Sequence, residues 1–252
     1  MNNNQAHQNN NEQTCLYFTK NNIQENNCYG MSKQQFIEIQ NWLKDAKPNE
    51  NSNKFPDFIF NDGFIEHFAV TSSFEGKKGA KQKKESMQFK SKSEANFIKN
   101  LDSCEEDTLV SKSFARPFEQ HSHSNIVKSI KRNWEKHIKN YEKSNFQSKH
   151  SIFLLEYTDN NIHTAICVEN EPSKVFDSYR ISADKELLNW IYKFKDKIDY
   201  LILINLISSS IEVIRIENIP EIIDVNTYGI FEPVIGLESH KFAGIKIAKR
   251  NI

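Results

Sequence analysis

No stretch of this sequence approaches the ~18 apolar residues that a membrane-crossing helix requires, and Met1 to Gln13 is polar where a secretion signal would be apolar. A soluble, cytoplasmic chain with no membrane association is expected. Cysteine is equally sparse. Cys15, Cys28, Cys104 and Cys167 lie far apart and form no C-x-x-C pair, which argues against a disulfide framework and against a zinc centre built from thiols alone. Reduced, structurally silent thiols are the expectation. An excess of one charge is also missing, since 33 Lys and Arg balance 33 Asp and Glu. Any affinity for nucleic acid must then come from local patches.

The chain has 252 residues, enough to bury a substantial core. Residues 1–30 are rich in Asn and Gln, with Leu16-Tyr17-Phe18 as the only apolar cluster, and are expected to be a disordered or loosely docked arm. Residues 31–252 are expected to form a single domain. Ser32 and Gln35 make a capping box ahead of a helix over about 33–46, ended by Lys47-Pro48. Ser124 opens a long helix whose apolar positions Ile126, Val127, Ile130, Trp134, Ile138 and Tyr141 recur at three and four. Ile152–Tyr157 reads as a strand with Ile162–Val168 pairing back on it, and Tyr200–Ile207 and Ile211–Ile216 read as a further hairpin after a helix over about 182–198. Residues 102–120 read as a loop, and the segment from Phe74 to Leu101 shows only weak periodicity. These elements predict an α/β (α+β) fold, a central mixed sheet with flanking helices.

Chemistry concentrates in Lys54–Ser73. Phe58–Phe60 and Phe64–Val70 are apolar, β-rich runs, and Asn61-Asp62-Gly63 between them tolerates positive φ, so a hairpin is expected. Within it, Asp57 and Glu66 stand where apolar residues belong. A buried carboxylate must be paired, hydrogen-bonded or bound to a metal ion. A turn at Asp62-Gly63 would put both acids on one face of the sheet, two residues displaced; a turn at Asn61-Asp62 with Gly63 as a bulge would separate them. A plainer reading makes Asp57 a turn cap and pairs Glu66 with a lysine of the following segment. Glu156 reads as a structural acid, and His121 and His123 with His67 invite a metal site that a polar loop does not require.

F-P-D-F-I-F-N-D-G-F-I-E-H-F resembles the central hairpin of the PD-(D/E)xK, or restriction-endonuclease-like, nuclease superfamily, with the likeness extending over about residues 32–158. The resemblance implies a metal-dependent nuclease that hydrolyses phosphodiester bonds of DNA in restriction or anti-phage defence, with Mg²⁺ or Mn²⁺ held by Asp57 and Glu66. It also makes Glu38, on the preceding helix, and His67 accessory candidates, His67 being expected on the other face. The chain departs from the pattern at Phe68, where the superfamily has its catalytic lysine. Lys77 and Lys78 are the nearest replacements.

DNA would be met by the lysine-rich segment, with Lys81, Lys83 and Lys84, and by the basic helix, with Lys128, Lys131 and Arg132. The missing lysine leaves an alternative: a catalytically inactive nucleic-acid-binding or protein-interaction subunit of a defence complex. Oligomeric state has no signature in the sequence.

Overall fold

A computed structural model describes residues 3–50, 55–73, 78–117, 121–144, 146–168, 172–223, 227–234 and 237–247. In chain order the elements are α1 (Asn3–Asn22), β1 (Cys28–Tyr29), α2 (Lys33–Asp45), β2 (Lys47–Pro48), β3 (Phe58–Phe60), β4 (Gly63–Val70) and α3 (Lys78–Asp102). There follow β5 (Thr108–Pro117), α4 (His123–Ser144), β6 (His150–Tyr157), β7 (Ile162–Val168), β8 (Lys174–Phe176) and α5 (Lys185–Ile191). The chain then makes β9 (Tyr200–Asn205), β10 (Ser210–Arg215), α6 (Ile219–Ile223), β11 (Thr227–Pro233) and β12 (Leu237–Lys246). None of the described helices is long and apolar enough to cross a membrane.

The fold is α+β, as the alternation of elements predicts. The chain forms two compact units: Met1–Phe74 with His121–Val234, and Glu75–Gln120 with Ile235–Ile252.

The larger unit is organised by a seven-stranded mixed sheet in the order β1-β10-β9-β6-β4-β3-β2. β4, β6 and β9 run parallel, and β3 pairs antiparallel with β4. A parallel neighbour needs a crossover, and α4 supplies it between β4 and β6. The central strands are apolar on both sides because both faces are covered. Phe64, Phe68 and Val70 of β4 and Phe153, Leu155 and Tyr157 of β6 pack on Ile126, Ile130, Trp134 and Ile138 of α4. On the opposite face, Ile65, Ile152, Leu154 and Ile202 pack on Ile39 and Leu43 of α2 and on Cys15 and Leu16 of α1. Ser32 caps α2 with the reciprocal Gln35 bond predicted from sequence.

Over residues 1–30, read as a disordered or loosely docked arm, the structure has helix α1, with Cys15, Leu16, Thr19 and Ile23 buried. The reason lies in partners: an Asn-rich helix needs only one covered stripe. β7 does not pair back on β6 as expected; it sits between β11 and β8 in a separate three-stranded sheet. In the smaller unit, the expected loop over 102–120 contains strand β5, paired with β12 along ten residues. The lysine-rich segment forms α3, whose Phe97 stacks on Phe242 of β12.

Candidate functional site

The hairpin register decides the site. Phe60 faces Gly63, Ile59 faces Phe64 and Phe58 faces Ile65, so Asn61-Asp62 is the two-residue turn, with Asp62 at φ 59°. Gly63 is itself paired, with no bulge. Any Cβ there would lie 2.2 Å from the Phe60 ring, which is why the position takes glycine. Continued by one residue, this register sets Asp57 across from Glu66 on the face that carries Phe64 and Phe68. The turn is Asn61-Asp62, one of the two expected from sequence, but without the bulge at Gly63 that was to separate the acids: they share a face, directly across from each other.

Helix α4 closes over them. His137 Nδ1 lies 2.6 Å from Glu66 Oε1, and the His137 ring stacks on Phe68 at 4.7 Å and 16°. Glu66 Oε2 is buried with no hydrogen-bond partner. Asp57 Oδ2 accepts the backbone N–H of His67 at 2.7 Å. Burial pushes the Glu66 carboxyl up to about 9, reinforced by the charge of Asp57 and offset in part by Lys136. The same burial, with Lys136 adjacent, pulls His137 down to about 4, and burial raises Asp57 despite the His67 bond. Glu66 and His137 thus hold one proton between them near neutrality. Two desolvated carboxyls, one with a partnerless oxygen, can be relieved by protonation or by a bound cation.

The reverse face of β4 carries a second cluster. His67 alternates with Glu66 and so faces α1 and β6, as expected for that residue. Its Nε2 lies 3.5 Å from Glu156 Oε2 and makes no hydrogen bond. Asn11 Nδ2 of α1 donates to the same oxygen at 2.6 Å. Cys15, one turn on, completes a buried group in which one ligand atom each from Cys15, His67 and Glu156 lie within 4.8 Å of one another; this group can hold a metal ion. Among the described residues it is the only such triple, so Asp57, Glu66 and His137 do not reach the same mutual closeness. Burial and the neighbouring Glu156 push the Cys15 thiol well up. Burial alone would raise Glu156, but His67 and Asn11 outweigh it and hold that carboxyl below its usual value.

The remaining candidates distribute as follows. Lys77 lies outside the described residues. Lys78, Lys81, Lys83 and Lys84 fall on α3, in the smaller unit, with their side chains outside the described ones. Glu38 does not join Asp57 and Glu66, because α2 packs on the other face of the sheet. It lines instead a cleft of about 520 Å³ with Trp42, His150, Tyr200 and Arg215. On α4, Lys128 and Arg132 are exposed, and with Lys136, Lys139 and Lys143 they fall at spacings of three and four on one helix face, beside the row that carries His137. Lys131 is turned away, its Nζ 5.4 Å from the Trp190 ring.

His121 and His123 are not ligands of a common site with His67. His123 Nε2 bonds Asp184, the N-cap of α5, at 2.6 Å. His121 Nδ1 lies 2.7 Å from Ser72 Oγ, whose hydroxyl donates to Asp159 Oδ1. Tyr157 OH also donates to Ser72, and Asn161 Nδ2 lies 3.1 Å from His121 Nε2. A serine, a histidine and an aspartate meet here, yet the carboxylate holds the serine directly and the fully buried hydroxyl is spent on it. That arrangement locks the ends of β4 and β6 and is not a nucleophile with its base.

No family model, curated protein or solved structure matches the chain. The site therefore rests on its own geometry. His137 has no local signal, and Cys15 reads from sequence as a structurally silent thiol, because neither is adjacent in sequence to the acids it meets. Only the helical spacing of His137 from Trp134, which put it beside the buried stripe, carried a trace of it.

Proposed function

We propose that this chain is a metal-dependent nuclease acting on DNA, with Asp57 and Glu66 as the ligands of a Mg²⁺ or Mn²⁺ ion. The observation that supports this most is the partnerless Oε2 of Glu66, directly across the hairpin from Asp57 and next to the basic face of α4. The ion, when bound, would supply positive charge to a phosphodiester and to its attacking water. Asp57 is held for that role by the His67 N–H, which fixes its carboxylate plane. Glu66 must release its proton to solvent on binding the ion, while His137, pulled down to about 4 and 2.6 Å away, stays neutral and holds the carboxylate through Oε1.

Phe68 occupies the place of the superfamily's lysine and serves as the platform on which the His137 ring lies flat. In this reading the cationic role moves to α4. Lys136 is exposed, stands next to His137, and acts electrostatically on Glu66. Lys128, Arg132, Lys139 and Lys143 extend the same positive face and would neutralise backbone phosphates along it.

The test is cleavage of DNA with added Mg²⁺ or Mn²⁺ by wild type, Asp57→Asn and Glu66→Gln. Loss of at least about 100-fold in both variants, a few kcal/mol of transition-state stabilisation, supports the reading. Equal activity in all three removes it. A chain that binds DNA in EDTA, with or without Asp57, and never cleaves it would be the inactive nucleic-acid-binding subunit instead.

A further inference from the structure

We infer that Cys15, His67 and Glu156 bind a zinc ion that fastens helix α1 to the central sheet, at a site separate from Asp57 and Glu66. Three observations lead there. The donor set is one thiol, one imidazole and one carboxylate, a borderline-soft combination that suits Zn²⁺ far better than Mg²⁺. The three side chains come from three elements, α1, β4 and β6, and all are buried. His67, only 8% exposed, directs Nε2 into the group, where its nearest partner is Glu156 Oε2 at 3.5 Å, too long for a well-formed hydrogen bond. A buried imidazole nitrogen in that state either costs stability or has a ligand.

The spacing agrees with the assignment. In a tetrahedral zinc site with bonds of about 2.0–2.3 Å, neighbouring donors sit roughly 3.3–3.8 Å apart. His67 Nε2 and Glu156 Oε2 are 3.5 Å apart, already at that edge length, and no pair among the three donor atoms exceeds 4.8 Å. Asn11, one helical turn before Cys15, holds the Glu156 carboxylate by donating to Oε2 at 2.6 Å, the kind of outer partner that orients a ligating acid. The fourth position would be left to water.

The role follows from what α1 lacks. Its sequence is mostly Asn and Gln, and its described apolar contribution to the core is confined to Cys15 and Leu16, with Phe18 partly buried. A metal bridge from its buried face to β4 and β6 would add what that small apolar stripe does not. Binding of Zn²⁺ would release the Cys15 proton and offset the charge of the thiolate and carboxylate together.

The full chain, expressed and purified without chelator, should contain one zinc per chain by elemental analysis. Replacement by Co²⁺ should produce a thiolate-to-cobalt charge-transfer band in the near ultraviolet. Cys15→Ser should abolish the band and weaken zinc binding at least about 10-fold, as should Glu156→Gln. Asp57→Asn and Glu66→Gln should keep both metal and band, and chelation of wild type should lower Tm. Titration of the metal-free chain with Zn²⁺ alone gives the opposing result directly: no binding at micromolar zinc, a band that survives Cys15→Ser, or zinc lost in Asp57→Asn would each overturn the assignment. Because Co²⁺ reports on the thiolate and not on cleavage, this outcome is independent of whether the chain cuts DNA.

Discussion

The backbone N–H of His67 holds the Asp57 carboxylate at 2.7 Å, while the His67 imidazole, on the other face of the same strand, stands 3.5 Å from Glu156. One residue thereby joins two clusters that the sheet otherwise separates. Slipping β4 by one residue would exchange the faces of Glu66 and His67 and destroy both. The paired Gly63 and the two-residue turn keep the register in place.

Stability should depend on pH through Glu66. The folded chain holds this carboxyl near 9 against an ordinary 4.5, while His137 falls to about 4 from 6.5. Below 6.5 the two differences oppose each other. From there to about 9 the folded state keeps a proton that the unfolded state has released, so stability falls as pH rises, by up to about 1 kcal/mol per unit. Urea midpoints across that window in EDTA should decline for wild type and stay level for Glu66→Gln.

Divalent ions should reverse that trend if Asp57 and Glu66 bind them. Mg²⁺ or Mn²⁺ replaces the proton on Glu66, so apparent affinity should increase with pH over the same window. Calorimetric titration would show it, together with proton release that Glu66→Gln lacks. Pairing of Asp57 and Glu66 with no pH-dependent binding would count against a metal there.

Lys136 and Phe68 carry a separate expectation. Lys136→Ala should leave stability unchanged, since the side chain is exposed, yet reduce single-turnover cleavage by about 100-fold if its charge has the role of the absent lysine. Lys139→Ala, one turn along, should affect DNA binding more than rate. Equal rates for wild type and Lys136→Ala would place the cationic role elsewhere.

DNA affinity should follow the geometry of α4. Replacing Lys128, Arg132 or Lys143 by Ala should each reduce the salt dependence of binding by about one unit of log–log slope. Lys131→Ala should do much less, because Lys131 lies over Trp190. Fluorescence anisotropy at several salt concentrations separates the two.

Ser72→Ala should damage folding and not chemistry. Its hydroxyl links Asp159, His121 and Tyr157, all partly or fully buried, and removing it takes one hydrogen bond from each, including the acceptor of the Tyr157 hydroxyl. A loss of about 2–3 kcal/mol in urea denaturation is expected. Cleavage per folded molecule should be unchanged at low temperature, which a serine nucleophile would not permit.

Local pattern was enough for the elements whose signals are local. The capping box and apolar periodicity mark α2, the three-and-four spacing marks α4, and the turn residues with flanking aromatics mark the β3–β4 hairpin. The two acids stood out because charge inside an apolar strand is costly wherever that strand ends up. Long-range assembly settled everything else. The choice of turn put Asp57 across from Glu66, and it depends on how Gly63 fits under Phe60, a contact no propensity encodes. His137 reaches Glu66 from 71 residues away, and Asn11 reaches Glu156 across 145. β5 finds its partner β12 at the far end of the chain, so a segment with the composition of a loop becomes a strand. Helix α1 is held by contacts with α2, β4 and β6 that its own Asn-rich sequence does not announce. Burial is a property of the assembled chain, and it is burial that lifts Glu66, lowers His137 and leaves the His67 nitrogen without a hydrogen bond.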